Sequence, residues 1–162
     1  MKLRQYFTGH VFLMRLIFAV LVNLLMISHL DLTQHMIWLI GLEVGLVLGL
    51  GFVQLDRRYF YSLYQQQTAL KGLLSQSLIF IFSFIPLAVF IVTSSSSPIG
   101  IGFVLGFIIT TAINLSVDST HPERFQKHYL YQFARRFSPR EQRLIVIAFV
   151  GSALLVGLLA LV

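Results

Sequence analysis

Long apolar runs alternate with short polar breaks along this chain. Five runs stand out, at 11–30, 36–55, 73–93, 98–116 and 144–162. A helix that crosses the hydrocarbon core of a bilayer needs about 20 mostly apolar residues, and these runs have that length. The pattern predicts an all-α fold: a polytopic integral membrane protein, one domain over 1–162, built as a bundle of about five transmembrane helices. The first run is the most broken, because Arg15, Asn23 and His29 interrupt it. Read as a re-entrant or interfacial segment, it leaves four spans.

The polar breaks differ in charge. Lys2, Arg4 and Arg15 lie at the start, Arg57, Arg58 and Lys71 between the second and third runs, and Arg124, Lys127, Arg135, Arg136, Arg140 and Arg143 before the fifth. The connections at 31–35 and 94–97 contain no Lys or Arg. Alternate connections are thus basic, which is the pattern of a multi-pass protein that keeps its cations on the cytoplasmic side. The expected topology has the N-terminus inside and the C-terminus outside. Lys2 and Arg4 also suit the charged start of a signal peptide, but no small-x-small cleavage site follows, so an uncleaved first span is expected.

Local punctuation supports the boundaries. Ser97 before Pro98 reads as an N-cap with proline at the first helical position. Ser138-Pro139-Arg140-Glu141 reads as a capping box, and Thr120-His121-Pro122-Glu123 repeats it. Between these two boxes, residues 123–137 show helical periodicity. Phe125, Tyr129, Phe133 and Phe137 recur every four positions with Leu130 beside them, and Arg124, Lys127, His128, Tyr131 and Arg135 take the other face. An amphipathic helix lying in the inner headgroup region is expected, the alternative being a helix packed on the bundle's own loops. Tyr59, Phe60, Tyr61 and Tyr64 next to a span end read as an aromatic belt.

Composition narrows the class. Apolar residues make up 57% of 162 positions, charged residues 11%, and mean hydropathy is +0.83. Soluble domains carry about 25% charged residues, so water is the wrong solvent for most of this surface. The formal charge of +6 is explained by cations that flank spans and meet anionic inner-leaflet lipids, at roughly 1 kcal/mol per residue, rather than by nucleic acid. There is no cysteine, hence no disulfide framework and no thiolate metal site. A bacterial plasma membrane is the expected location.

Glycine spacing predicts close helix contacts. Gly41, Gly45 and Gly49 form one ridge, and Gly102, Gly106 and Gly157 extend the pattern to later spans. Glycines four apart lie on one helix face and let another backbone approach. The ridge serves packing within the chain or an interface between copies. GLVLG at 45–49 resembles GFVLG at 102–106, and each is followed by an acidic residue, Asp56 or Asp118, which hints at a parallel duplication of a two-helix unit.

Two polar constellations are candidates for chemistry. Glu43 lies in the second run, about 10 Å from its outer end, with Asn23, Pro86 and Gly157 at a similar depth. Acidic residues at such depth are costly and face a partner or a cavity. Glu43 is either a neutral structural group or the proton or cation site of a carrier. It sits about 160° around the helix from Gly45, which makes this helix the expected centre of the bundle. Arg15 lies nearer the inner face and is expected to snorkel to the headgroups. The second constellation, Asn114, Asp118, His121, Glu123 and His128, brings carboxylate and imidazole close enough in sequence to bind a divalent metal and activate water. Asp118 and His121 are the catalytic candidates there. His29, Asp31 and His35 form a smaller cluster of the same kind. No nucleotide-binding, zinc-protease or serine-hydrolase motif occurs, and no cofactor is predicted. The expectation is a non-enzymatic accessory, scaffold or assembly subunit, with a protein partner or further copies of itself. A proton-linked carrier or channel built around Glu43 and an interfacial hydrolase built on Asp118 and His121 are the alternatives.

Overall fold

A computed structural model describes residues 36–56 and 74–161, together with helical backbone at 13, 14, 17, 20, 21 and 24. Arg15, Asn23, His29, Asp31, His35, the cations Lys2, Arg4, Arg57, Arg58 and Lys71, and the tyrosine-rich stretch after Arg58 lie outside the described residues. Among the described residues all regular structure is helical. The helices are α1 (Met36–Leu55), α2 (Leu78–Ser94), α3 (Pro98–Asp118), α4 (Pro122–Tyr129) and α5 (Pro139–Leu159), and a short 3-10 turn at Leu74–Gln76 precedes α2. Three of them, α1, α3 and α5, are long and apolar enough to cross a membrane, and α2 is a slightly shorter apolar helix.

Serines begin three of these helices. Ser77 Oγ accepts from Phe80 N at 3.1 Å, and Ser97 Oγ accepts from Gly100 N at 3.3 Å. Ser138 and Glu141 exchange both bonds of a capping box, at 3.3 and 2.7 Å. Each bond satisfies a backbone donor that the first helical turn leaves without a partner. In the third apolar run the α-helix begins at Leu78, after the 3-10 turn, because Ser77 caps it there.

Among the described residues the core is organised around α3, and the expected contact of Glu43 with the first run lies outside them. Residues on all sides of α3 are buried, including Val104, Leu105, Phe107, Ile108 and Leu115. Among the described residues α1 packs on α3 along one side only. Its other side turns Ile37 (88% exposed), Ile40, Val47 and Leu48 outward. On α5, Leu144, Ile147, Leu154, Leu155 and Leu158 are likewise exposed. Large apolar side chains pointing outward over two helices are what lipid, and not water, would tolerate. Phe107 joins the layers: its ring lies 5.7 Å from Phe52 on α1, and 4.5 and 6.1 Å from Phe84 and Phe80 on α2.

The contact between α1 and α3 is made by backbone. A Cβ on Gly45 would strike the carbonyl of Ile99 and come within 2.8 Å of Phe103 N, and one on Gly102 would strike the carbonyl of Leu42 and come within 2.9 Å of Leu46 N. Gly49 meets Phe103 and Phe107 in the same manner, and Gly106 meets Leu46 and Leu50. Each equivalent pair (Gly45 and Gly102, Gly49 and Gly106, Leu42 and Ile99, Leu46 and Phe103) is separated by 57 positions. The two helices are parallel, in register and related by a local two-fold. Glycine is required here because a side chain on either helix would fill space that the opposite backbone occupies. Gly157 differs: a Cβ there would meet nothing within 4 Å, so it lies off the packing seam.

The amphipathic segment is shorter than its periodicity predicts. Helix α4 ends at Tyr129, and 130–138 is turn and extended chain rather than helix to 137. The reason lies in Gln126. Its amide donates to Arg135 O and accepts from Phe137 N, both at 3.1 Å, which folds the chain back toward α5. Phe125, Tyr129 and Leu130 are fully buried against Ile81, Leu115, Val146 and Phe149. The apolar face of α4 is thus spent on the bundle's own helices and not on acyl chains. The expected box at Thr120 does not form. The Thr120 hydroxyl donates to Val117 O at 2.7 Å, and His121 occupies the N-cap position without capping the helix through its side chain.

Candidate functional site

Polar side chains gather in three places. The first is Glu43 in the middle of α1. It is half-buried on a flank that does not face α3, and among the described residues it has no hydrogen bond or ion pair. Of the residues expected at its depth, Pro86 lies inside α2 and Gly157 in α5, whereas Asn23 falls outside the described residues.

The second place is the end of the bundle where α3 finishes and α5 begins. Asp118, the last residue of α3, has its carboxylate 3.4 Å from His128 Nδ1 and 3.7 Å from Arg124 Nη1, both on α4. His121 faces elsewhere, with its Nδ1 2.8 Å from Thr120 Oγ1. The structure therefore pairs Asp118 with Arg124 and His128 rather than with the His121 singled out by spacing. Among the described residues no three His, Cys, Asp or Glu side chains converge as a metal's ligands would. Glu141 is engaged twice, by the Ser138 cap and by Arg135, and the Arg135 guanidinium also lies 5.3 Å from the Phe137 ring. Arg124, Lys127, Arg135, Arg136, Arg140 and Arg143 are all exposed around this end.

The third place was not anticipated from the sequence. Asp56, which closes α1, is only 5% exposed, and its carboxylate accepts the backbone N–H of Ser75 at 3.0 Å. Ser75, Gln76 and Ser77 are buried beside it in the turn before α2. Phe107 meets both Phe84 and Phe80 of antiparallel α2, at 4.5 and 6.1 Å, so Ser77 lies within about one turn of Thr110 along the axis. The 57-residue equivalence of α1 and α3 puts Asp56 level with Ile113, within a turn of Thr110, Thr111 and Asn114. These residues form a buried polar layer in an otherwise apolar bundle. The hydroxyls of Ser75, Thr110 and Thr111 are buried without a hydrogen-bond partner among the described residues. From the 130–138 connection, Tyr131 reaches the same layer. Burial pushes its phenol above the ordinary value of 10.0, hydrogen bonds to Gln132 and Ser77 pull it back, and the Asp56 charge pushes it up again. The sequence does hold a signal for this layer: Ser-Gln-Ser at 75–77 and Thr-Thr at 110–111 interrupt apolar runs at matching depths.

The arrangement fits a helical protein embedded in a membrane. No protein-family model, curated protein or solved structure matches the chain.

Proposed function

We propose that the chain is a non-enzymatic membrane subunit, an accessory, scaffold or assembly component that acts through helix packing and a basic surface. In this reading it spans a bacterial plasma membrane five times, over 11–30, 36–55, 73–93, 98–116 and 144–162, with the N-terminus inside. One observation carries the reading. The ionic groups at the basic end neutralise one another, Asp118 with Arg124 and His128 and Glu141 with Arg135, instead of converging on a cleft. The remaining exposed cations suit anionic headgroups of the inner leaflet. Support also comes from the outward apolar faces of α1 and α5, which suit lipid and neighbouring helices. Purification in mild detergent with native partners retained tests this. A defined partner in fixed stoichiometry is expected, and a chain that always isolates as a lone monomer contradicts it.

A second reading, a proton-linked carrier, is favoured by Glu43 itself, a half-buried carboxyl in an apolar helix with no partner among the described residues. The substitution Glu43→Gln separates the two. It leaves a scaffold folded and functional, and it disables a carrier that moves protons through this group.

A further inference from the structure

The structure assigns to the start of α5 a selective site for one anionic phospholipid, with Arg140 and Arg143 taking its phosphodiester and Leu144 and Ile147 meeting its acyl chain. The inference rests on the membrane placement proposed above and names the ligand of that basic end.

The first observation is a surplus of cations that the chain cannot neutralise by itself. At this end Asp118 engages Arg124 and His128, and Glu141 engages Ser138 N and Arg135. Lys127, Arg136, Arg140 and Arg143 are exposed and form no ion pair among the described residues. Asp56 is buried, and Glu123, in the first turn of α4, is the one further described carboxylate of this end. The residues outside the described set do not restore the balance. Their charged side chains are Lys2, Arg4, Arg15, Arg57, Arg58 and Lys71 against Asp31 alone. Asp31 precedes Met36, at the far end of α1, and a helix of 20 residues is about 30 Å long. The short stretch from Asp31 to Met36 reaches at most ~18 Å. The counter-charge therefore comes from outside the chain.

The second observation is where the surplus lies. Arg140, Leu144 and Ile147 are spaced by four and then three residues, so they share one face of α5, with Arg143 beside them. Leu144 is 65% and Ile147 66% exposed, on a helix long and apolar enough to cross a membrane. The surface thus changes from guanidinium to alkyl within about one helical turn. A free anion or an acidic soluble segment would answer the arginines and leave the alkyl groups in water. A phospholipid answers both, with its phosphate at headgroup level and its acyl chain below.

The donor chemistry selects the headgroup. The planar fork of arginine donates two parallel N–H bonds to phosphate oxygens. Side chains three apart on a helix start about 5–6 Å from one another, so both arginines can reach one phosphodiester. The ammonium of a zwitterionic headgroup would add a cation to a surface already in excess. A lipid with net negative charge is therefore selected.

The test uses the full chain in nanodiscs that contain equal amounts of phosphatidylglycerol and phosphatidylcholine with matched acyl chains. Native mass spectrometry after release counts the lipids retained. The wild type should keep one phosphatidylglycerol per chain, several-fold in preference to phosphatidylcholine. Arg140→Gln with Arg143→Gln should bring that preference close to one. Lys127→Gln with Arg136→Gln, which removes the same charge elsewhere, should lower it far less. Millimolar glycerol 3-phosphate, which has the headgroup chemistry and no acyl chain, should not displace the lipid. No preference in the wild type overturns the proposal. Equal losses in the two double variants do so as well, because they mean diffuse attraction, and displacement by glycerol 3-phosphate means a free-anion site. If the Arg140 and Arg143 variant fails to fold, the wild-type preference and the competition still decide the matter. A chain without lipid preference that still isolates with a fixed partner removes this site alone, whereas one that stays dispersed without detergent removes the membrane reading too.

Discussion

Gly45 on α1 and Gly102 on α3 occupy equivalent places in a parallel, two-fold-related seam, each facing the carbonyl of the residue three positions before the other. The seam is backbone against backbone, so its energy comes from close van der Waals contact, and the geometry is that in which Cα–H to carbonyl contacts form. Gly45→Leu or Gly102→Leu should lower unfolding stability in detergent by at least the ~1–3 kcal/mol typical of overpacking, because backbone cannot move aside as a side chain can. Gly151→Ala provides the control. A Cβ there meets open space, and alanine is the better helix former by about 1 kcal/mol, so no loss is expected. Chemical unfolding followed by circular dichroism reads all three.

A second prediction separates packing of α4 on the bundle from embedding in headgroups. Phe125 is fully buried against α2, α3 and α5, whereas Phe133 is 38% exposed. Truncation Phe125→Ala should cost about 3–5 kcal/mol of stability, as for other large-to-small core changes. Phe133→Ala should cost far less. Equal effects on stability, or a loss confined to vesicle binding, would favour an interfacial helix.

Gln126 should act as the clamp on the 130–138 connection. Replacement by alanine removes two hydrogen bonds worth about 1 kcal/mol each and leaves Arg135 O and Phe137 N to find water. Faster amide exchange in 130–138, with α3 and α5 unchanged, is the expected pattern.

The Tyr131 phenol predicts an alkaline limit to stability. Its value is raised in the folded state, chiefly by burial, above the ordinary 10.0. The folded chain therefore holds this proton more tightly than the unfolded chain does. That contribution is fully present below pH 10.0 and is lost as pH rises from there through the raised folded value. Unfolding midpoints measured between pH 8 and 11.5 should fall at the alkaline end for the wild type, and less steeply for Tyr131→Phe.

Helix existence was legible in this chain wherever a periodic or continuous apolar pattern met a capping serine. Ser97-Pro98 and Ser138-Glu141 mark the starts of α3 and α5 as read. Spacing failed where tertiary contacts overrode a local rule. Thr120 has the sequence of an N-cap but sits within reach of Val117 O at the end of α3, and takes that bond instead. The four-residue aromatic repeat runs on to Phe137, yet Gln126 binds the chain nine and eleven residues later and ends the helix early. Which helix is central depends on what α3 meets on all its sides, and the glycine ridges indicated close approach without naming the partner. The matching GLVLG and GFVLG segments did contain that partner. The Asp56 layer was hidden because its members come from three stretches that only folding brings to one level.

The claim on which all else depends is that lipid solvates this bundle while its cationic connections share one face. Since the chain has no cysteine, single thiols can be introduced at 58, 127, 136 and 96 and probed with a membrane-impermeant reagent in intact cells and in opened ones. The account predicts that position 96 reacts in intact cells and that 58, 127 and 136 react only once the cells are opened. Reaction of 58 and 136 from opposite sides, or a polypeptide that stays dispersed without detergent, would contradict it.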